Sequence, residues 1–178
     1  MTTKKTPAVR REEIFEAALK CFNSAGYHRT TIDTIAATIG ISKGGIYYHF
    51  NSKKNLFIEL YKSKVNRYFD EVSAPLQQAG GADQLLRDLL RRSEEVFHEH
   101  LDVLRFLLEF AAIGSRDADI RRELTETYRN RVTVFQQLIQ KGIDDNTFKQ
   151  VDSAKVARVL YFLSMGFFLT CFTVDIDF

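Results

Sequence analysis

Between Thr31 and Phe50 the chain sets two apolar-periodic segments around a joint of only three residues, Gly40-Ile41-Ser42. Isolated helices shorter than about 12–15 residues are marginal in water, so both segments must dock against each other and against neighbours. Thr31 is placed to cap the first, which carries Ile32, Ile35, Ala36 and Ile39 on one face, and Gly40 supplies a left-handed stop. Ser42 caps the second, expected to run through Phe50, where Ile46 and Phe50 lie four apart and face inward while Ile41 plugs the turn. Small Ala36 permits close helix approach. This is the spacing of a helix-turn-helix.

The inward set leaves Lys43, Gly44, Gly45, Tyr47, Tyr48 and His49 outside. Two adjacent glycines cost a helix about 1 kcal/mol each against alanine, so some gain should offset them. Close approach of the backbone to a DNA strand is such a gain, because the major groove admits one helix and is read mainly by its N-terminal residues. Tyr47 can hydrogen-bond a phosphate, Lys43 and His49 supply donors, and Lys53 joins a charge to free backbone amides at the next helix start.

Charge distribution agrees. The 178 residues carry a net +2, but residues 1–67 hold 12 Lys+Arg against 5 Asp+Glu (12 − 5 = +7), and residues 68–178 hold 13 against 18 (13 − 18 = −5). A basic third on an acidic body is the pattern of a polyanion reader. The two cysteines, Cys21 and Cys171, lie far apart in apolar stretches, which fits two thiols in a reducing compartment. Met1 to Arg11 is polar and basic without an apolar core, so no signal peptide is expected and a cytoplasmic location is.

The fold class expected throughout is all-α. A first helix spans about Arg10 to Ser24 and ends at Gly26; a fourth follows Ser52 to about Val72. After a break at Pro75 to Asp83 come helices at about 83–100, 102–113 and 118–142, and an aromatic helix capped by Asp152 or Ser153. Its stretch Val159 to Val174 is uncharged for 16 residues, short of the ~20 that span a bilayer, so no membrane partner is expected.

Chemistry beyond DNA binding is thin. Phe97, Phe106, Phe110, Tyr128, Phe135, Phe162, Met165, Phe167 and Phe168 could line an apolar cavity, though each could equally fill a core. Arg105, Arg129 or Arg131 could meet an anionic head group. Glu94, His98 and Asp102 recur every four residues, but no metal site is expected, and no nucleophile elbow, phosphate loop or paired-base arrangement suggests an enzyme.

Ser42-Lys43-Gly44-Gly45-Ile46-Tyr47-Tyr48-His49-Phe50, with Ser52-Lys53 and Leu56, resembles the TetR/AcrR transcriptional regulators. Ala18, Phe22, Gly26-Tyr27 and Thr30-Thr31-Ile32 through Ser42 match in the same register, so the resemblance covers roughly residues 10 to 60. It implies an N-terminal three-helix DNA-binding domain and a C-terminal helical domain for ligand binding and dimerisation, with nine or so helices. The expected division is an arm and helix-turn-helix over 1–52 (motif about 31–50), a linking helix over 53–74, and the ligand and dimer body over 83–178.

The resemblance further implies that Thr31 and Tyr47 contact phosphates, that Lys43, Gly44, Gly45 and Tyr48 face bases or sugars, that His49 meets the backbone, and that Lys53 holds a phosphate. Ser42 belongs to this set, and Lys4, Lys5, Arg10 and Arg11 form a basic arm. The implied function is a homodimeric repressor released from a palindromic operator by a small hydrophobic effector, with no cofactor. The alternative is a DNA-binding adaptor gated by a protein partner or not gated at all. The family layout carries one more helix than is legible before Phe178, so dimerisation is expected to lean on Val159 to Phe172, where Ser164 and Gly166 allow close approach.

Overall fold

The computed structural model describes residues 6–175, so Lys4 and Lys5 of the expected arm lie outside the described residues. Eight α-helices follow in order among them: α1 Pro7–Arg29, α2 Ile32–Thr38, α3 Lys43–Tyr47, α4 Lys53–Ser73, α5 Ala82–Glu99, α6 Leu101–Gly114, α7 Ala118–Asp144 and α8 Ser153–Thr173, with a 3-10 turn at Ala74–Gln77 between α4 and α5. The described residues contain no strand. The expected caps close their helices: Thr31 accepts from Thr34 N, Ser42 from Gly45 N, Ser52 from Asn55 N and Asp152 from Lys155 N.

Two boundaries differ from expectation. Gly26 breaks α1 at φ 77°, ψ 165°, but helix resumes beyond it to Arg29. The second helix of the motif ends at Tyr47, and Tyr48 to Phe50 close it as a tight turn, His49 N donating to Ile46 O at 2.9 Å.

One apolar cluster runs without interruption from the helix-turn-helix into the body. Ile35, Ile46 and Phe50 join Phe15 and Phe22 of α1, Phe57 and Tyr61 of α4, and Phe106 and Phe110 of α6. Phe22 meets Phe57 edge-on at 4.9 Å between centroids, Phe57 meets Phe106 at 5.0 Å, and Tyr61 stacks on Phe110 at 3.8 Å and 10°. Such pairs add about 0.5–1.5 kcal/mol each beyond the area they bury. A second, smaller cluster of Ala82, Leu85, Leu89 and Leu138 closes the far end of the body.

Polar ties reinforce α4 on both sides. Arg11 reaches Glu59 at 2.8 Å, and the buried Lys64 sits between Glu12 and Glu16, fixing α1 to α4. Lys54 binds Asp117 and Asp119 at 2.8 and 2.6 Å, and Tyr61 Oη donates to Thr127 Oγ1 at 2.9 Å, fixing α4 to α7.

The last helix starts at its expected cap and is longer than its uncharged stretch. α8 is 21 residues long with a mean hydropathy of 1.6 over its most apolar 18-residue window, enough to cross a membrane by length and composition alone. It packs along α7 on one side, yet Val159, Phe162, Leu163, Phe167 and Leu169 are exposed on the other.

Candidate nucleic-acid interface and effector cavity

The motif leaves most of its predicted DNA set open to solvent. Thr31, Ser42, Lys43 and Gly44 are exposed, as are Tyr47 at 45% and Tyr48 at 80%, while Gly45 and His49 are half-buried. Two tyrosines so exposed at the C-terminal end of a five-residue helix are poorly explained as surface filler.

Gly44 is informative because the fold does not demand it. A Cβ there would meet only Ser42 Oγ, at 3.7 Å, and its φ is not left-handed. Gly45 differs: its Cβ would touch Ile41 Cδ1 at 3.4 Å, so packing against the turn already favours a small residue. Gly40, at φ +67°, is the left-handed residue that turns the chain.

Electrostatics modify the predicted roles. Lys43 Nζ lies 2.8 Å from Asp33 Oδ2 of α2, and that hydrogen bond raises the Lys43 pKa above its ordinary value. Asp33 therefore aims Lys43 and offsets part of its charge, a partner that sequence reading missed. Arg10 pairs with Glu13 at 2.9 Å and Arg11 is held by Glu59 over the Phe50 ring, so these two arm residues are braces of α1.

Lys53 is a correction. Expected to hold a phosphate, it turns inward and donates to Tyr27 O at 2.8 Å and Thr30 O at 2.9 Å, with its ammonium 4.4 Å from the Tyr27 ring centroid. Burial pulls its pKa below the usual lysine value. The carbonyls at the end of α1 lack helical partners, and a cation there is favoured by the helix dipole. What α4 still offers a phosphate is its first backbone amides.

A cavity of about 610 Å³ opens in the body between α4, α5, α7 and α8. Of the predicted lining, Phe97, Phe135, Phe167 and Phe168 do line it. Phe106 and Phe110 are instead fully buried in the main core against Phe57, where no ligand reaches. Tyr128, Phe162 and Met165 lie off the lining: Tyr128 packs on Tyr161 and Phe162 at the α7–α8 surface, and Met165 packs against the main core.

Sequence reading missed Tyr68, Phe69, Leu86 and Leu89, which form much of the wall. Tyr68 is buried, and among the described residues its hydroxyl has no hydrogen-bond partner; burial raises its pKa. An unmet buried polar group of this kind costs about 1–3 kcal/mol. Arg131 also lines the cavity, its side chain 14% exposed, its Nε unpartnered among the described residues, and its guanidinium over Phe69 at 4.5 Å.

Among the described residues, the cluster of metal-capable groups that the fold gathers is not Glu94, His98 and Asp102 but Glu71, Glu99 and His100. Within it His100 Nε2 lies 3.0 Å from Glu71 Oε2, pinning the α5–α6 corner to α4.

Residues 14–60 match the family described as bacterial regulatory proteins, tetR family. The chain is similar to the HTH-type transcriptional repressor AcnR of Corynebacterium diphtheriae, 28% identical over 127 residues that cover 70% of this chain and 64% of the repressor. It is also similar to the HTH-type transcriptional regulator YfiR of Bacillus subtilis, 29% identical over 168 residues, covering 92% and 80%. The reading head is a TetR-family domain. The chain's fold is also that of the TetR family transcriptional regulator PfmR from Thermus thermophilus, with a TM-score of 0.69 at 23% identity over 83% of this chain and 80% of that one.

The family match ends within α4, so the head is covered and the cavity is not. The cavity is read from this chain's own geometry.

Proposed function

We propose that the protein is a homodimeric transcriptional repressor of the cytoplasm that holds a palindromic operator and is released by a small hydrophobic or amphipathic effector. The observation that carries the DNA half is the open surface of Gly44, Tyr47 and Tyr48, with no internal reason for Gly44 to lack a side chain. Thr31, Ser42, Lys43 and Tyr47 take the phosphates and base edges, and the amides at the start of α4 add a phosphate contact. This is a binding protein, not an enzyme.

The outer face of α8 supports self-association. Soluble monomers rarely leave contiguous apolar patches of this kind open. Gly166 is exposed with open space where a side chain would stand, leaving room for a partner helix to approach. Two reading heads would then meet half-sites about 34 Å or a multiple apart.

Gating rests on the position of the cavity. Its wall includes Tyr68 and Phe69 of α4, the helix that begins at the reading head. A ligand that parts α4 from α7 works against the Lys54 and Tyr61 ties and so moves the head.

Operator selection on DNA flanking the protein's own gene tests this reading. A protected palindrome is expected, and with about four phosphates neutralised per subunit the salt slope of a dimer is near −7. Salt-independent binding would sink the DNA assignment. An operator affinity unmoved by a broad panel of hydrophobic compounds would favour the ungated adaptor.

A further inference from the structure

The cavity is apolar along most of its wall but contains two buried donors that the protein leaves unused. Tyr68 is 1% exposed, and its hydroxyl has no partner among the described residues. Arg131 Nε is likewise unmet, and the one carboxylate near its guanidinium, Asp70, stands 3.7 Å away and is itself 74% exposed. Both residues line the same cavity and both flank Phe69: its ring lies 5.2 Å from that of Tyr68 and 4.5 Å from the Arg131 guanidinium. Buried donors in native proteins are nearly always satisfied, so a pair of orphans in one cavity calls for an acceptor from outside.

The remaining wall defines the rest of the molecule. Val72, Leu86, Leu89 and Phe135 line the cavity and also belong to, or pack on, the second apolar cluster at the far end of the body. A volume of about 610 Å³ lies within the ~300–1,000 Å³ of small-molecule sites. Tyr68 thus presents its donor one turn before the hydrocarbon wall that begins at Val72, with Arg131 supplied by α7.

We propose that the effector is an alkyl or aryl carboxylate whose carboxylate accepts from Arg131 and Tyr68 and whose apolar tail lies against Val72, Leu86, Leu89 and Phe135. A carboxylate matches the planar fork of a guanidinium, which can donate from Nε and Nη together. It also offers a second oxygen to a phenol. A monoanion is favoured over a phosphate because Arg131 is the one Lys or Arg side chain lining the cavity and the carboxylate of Glu94 lines it too. The proposal deepens the gating reading and rests on it only for the effect at DNA.

The test uses the full chain and three probes of equal tail length: decanoate, decanol and decylamine. Titration calorimetry is expected to rank decanoate first, about tenfold or more above decanol, with decylamine weakest. Arg131→Leu is expected to weaken decanoate about tenfold while leaving decanol within about twofold. Tyr68→Phe removes only the orphan hydroxyl, so it should melt no lower than the wild type yet lose about threefold or more in decanoate affinity.

Equal binding of decanoate and decanol, failure of all three probes to bind, or decanoate affinity unchanged in both variants overturns the carboxylate assignment. Operator affinity is read in parallel. Decanoate that binds through Arg131 yet leaves DNA bound supports the ligand class and removes the gating reading. Release by decanol or decylamine without a decanoate preference keeps gating and overturns the carboxylate.

Discussion

Glu109 on α6 accepts the backbone N–H of Tyr27 at 2.7 Å, one residue past the point where Gly26 breaks α1. The contact spans 82 positions of sequence and joins the body to the segment that enters the helix-turn-helix. Gly26 is fitted to it: a Cβ there would stand 3.3 Å from the same carboxylate oxygen, at a φ of +77° that disfavours any side chain.

Glu109→Ala therefore leaves a partly buried amide unmet and is expected to cost about 1–2 kcal/mol in urea unfolding. Glu109→Gln keeps an acceptor and should recover most of that loss. Equal stability of wild type and Glu109→Ala would show that water satisfies Tyr27 as well as the carboxylate does.

Lys53 and Lys43 should separate cleanly in a salt titration of operator binding. Lys53→Met removes an ammonium that caps α1, so it should lower stability by about 1–3 kcal/mol and leave the salt slope unchanged. Lys43→Ala and Tyr47→Phe should weaken binding without unfolding, and Lys43→Ala should reduce the slope by about 1 per subunit. A slope reduced by Lys53→Met would restore that residue to the phosphate set.

Phe110 and Phe135 test the division between core and cavity. Phe110→Ala opens a hole against Tyr61 and Phe57 and is expected to cost about 3–5 kcal/mol by denaturant unfolding. Phe135→Ala, on the cavity wall, should cost clearly less and change the affinity for decanoate. Equal losses in the two variants would mean that the cavity is collapsed in solution.

Asp117 gives the α4–α7 tie a pH signature. The hydrogen bond from Lys54, then the backbone N–H of Ile120, hold its carboxyl below the usual aspartate value. A carboxylate depressed in the folded state adds stability above its unfolded pKa of about 3.9, and that part is lost as pH falls through the folded value. Asparagine caps a helix about as well as aspartate, so Asp117→Asn isolates the charge. Its stability should fall less steeply below about pH 4 than that of the wild type in acid-titrated melts, and the difference should shrink in high salt.

The helix-turn-helix was legible in the sequence because it is local. Caps at Thr31, Ser42 and Ser52, the stop at Gly40 and the inward pair Ile46 and Phe50 all act within a few residues, and each does so in the structure. Tertiary partners were not legible. Nothing near Lys53 in sequence says that it faces Tyr27, 26 positions back, and nothing near Phe106 or Phe110 distinguishes a core face from a cavity face. Tyr68 escaped notice for the same reason: a tyrosine mid-helix becomes informative only once its hydroxyl is found without a partner. The break after Pro75 was visible, but the aromatic packing of Phe57 on Phe106 across the two parts was not.

That uninterrupted packing from Phe22 through Phe57 to Phe106 bears on how such regulators can be rebuilt. A chimaera cut at residue 52 and joined to a foreign body would strip Phe22 of Phe57 and Phe106, the rings packed against it. The transplantable unit is larger: it extends through Tyr61 and carries with it the face of α6 presented by Phe106, Glu109 and Phe110. In the proposed function, the reading head keeps its seal only together with part of the body that holds the cavity.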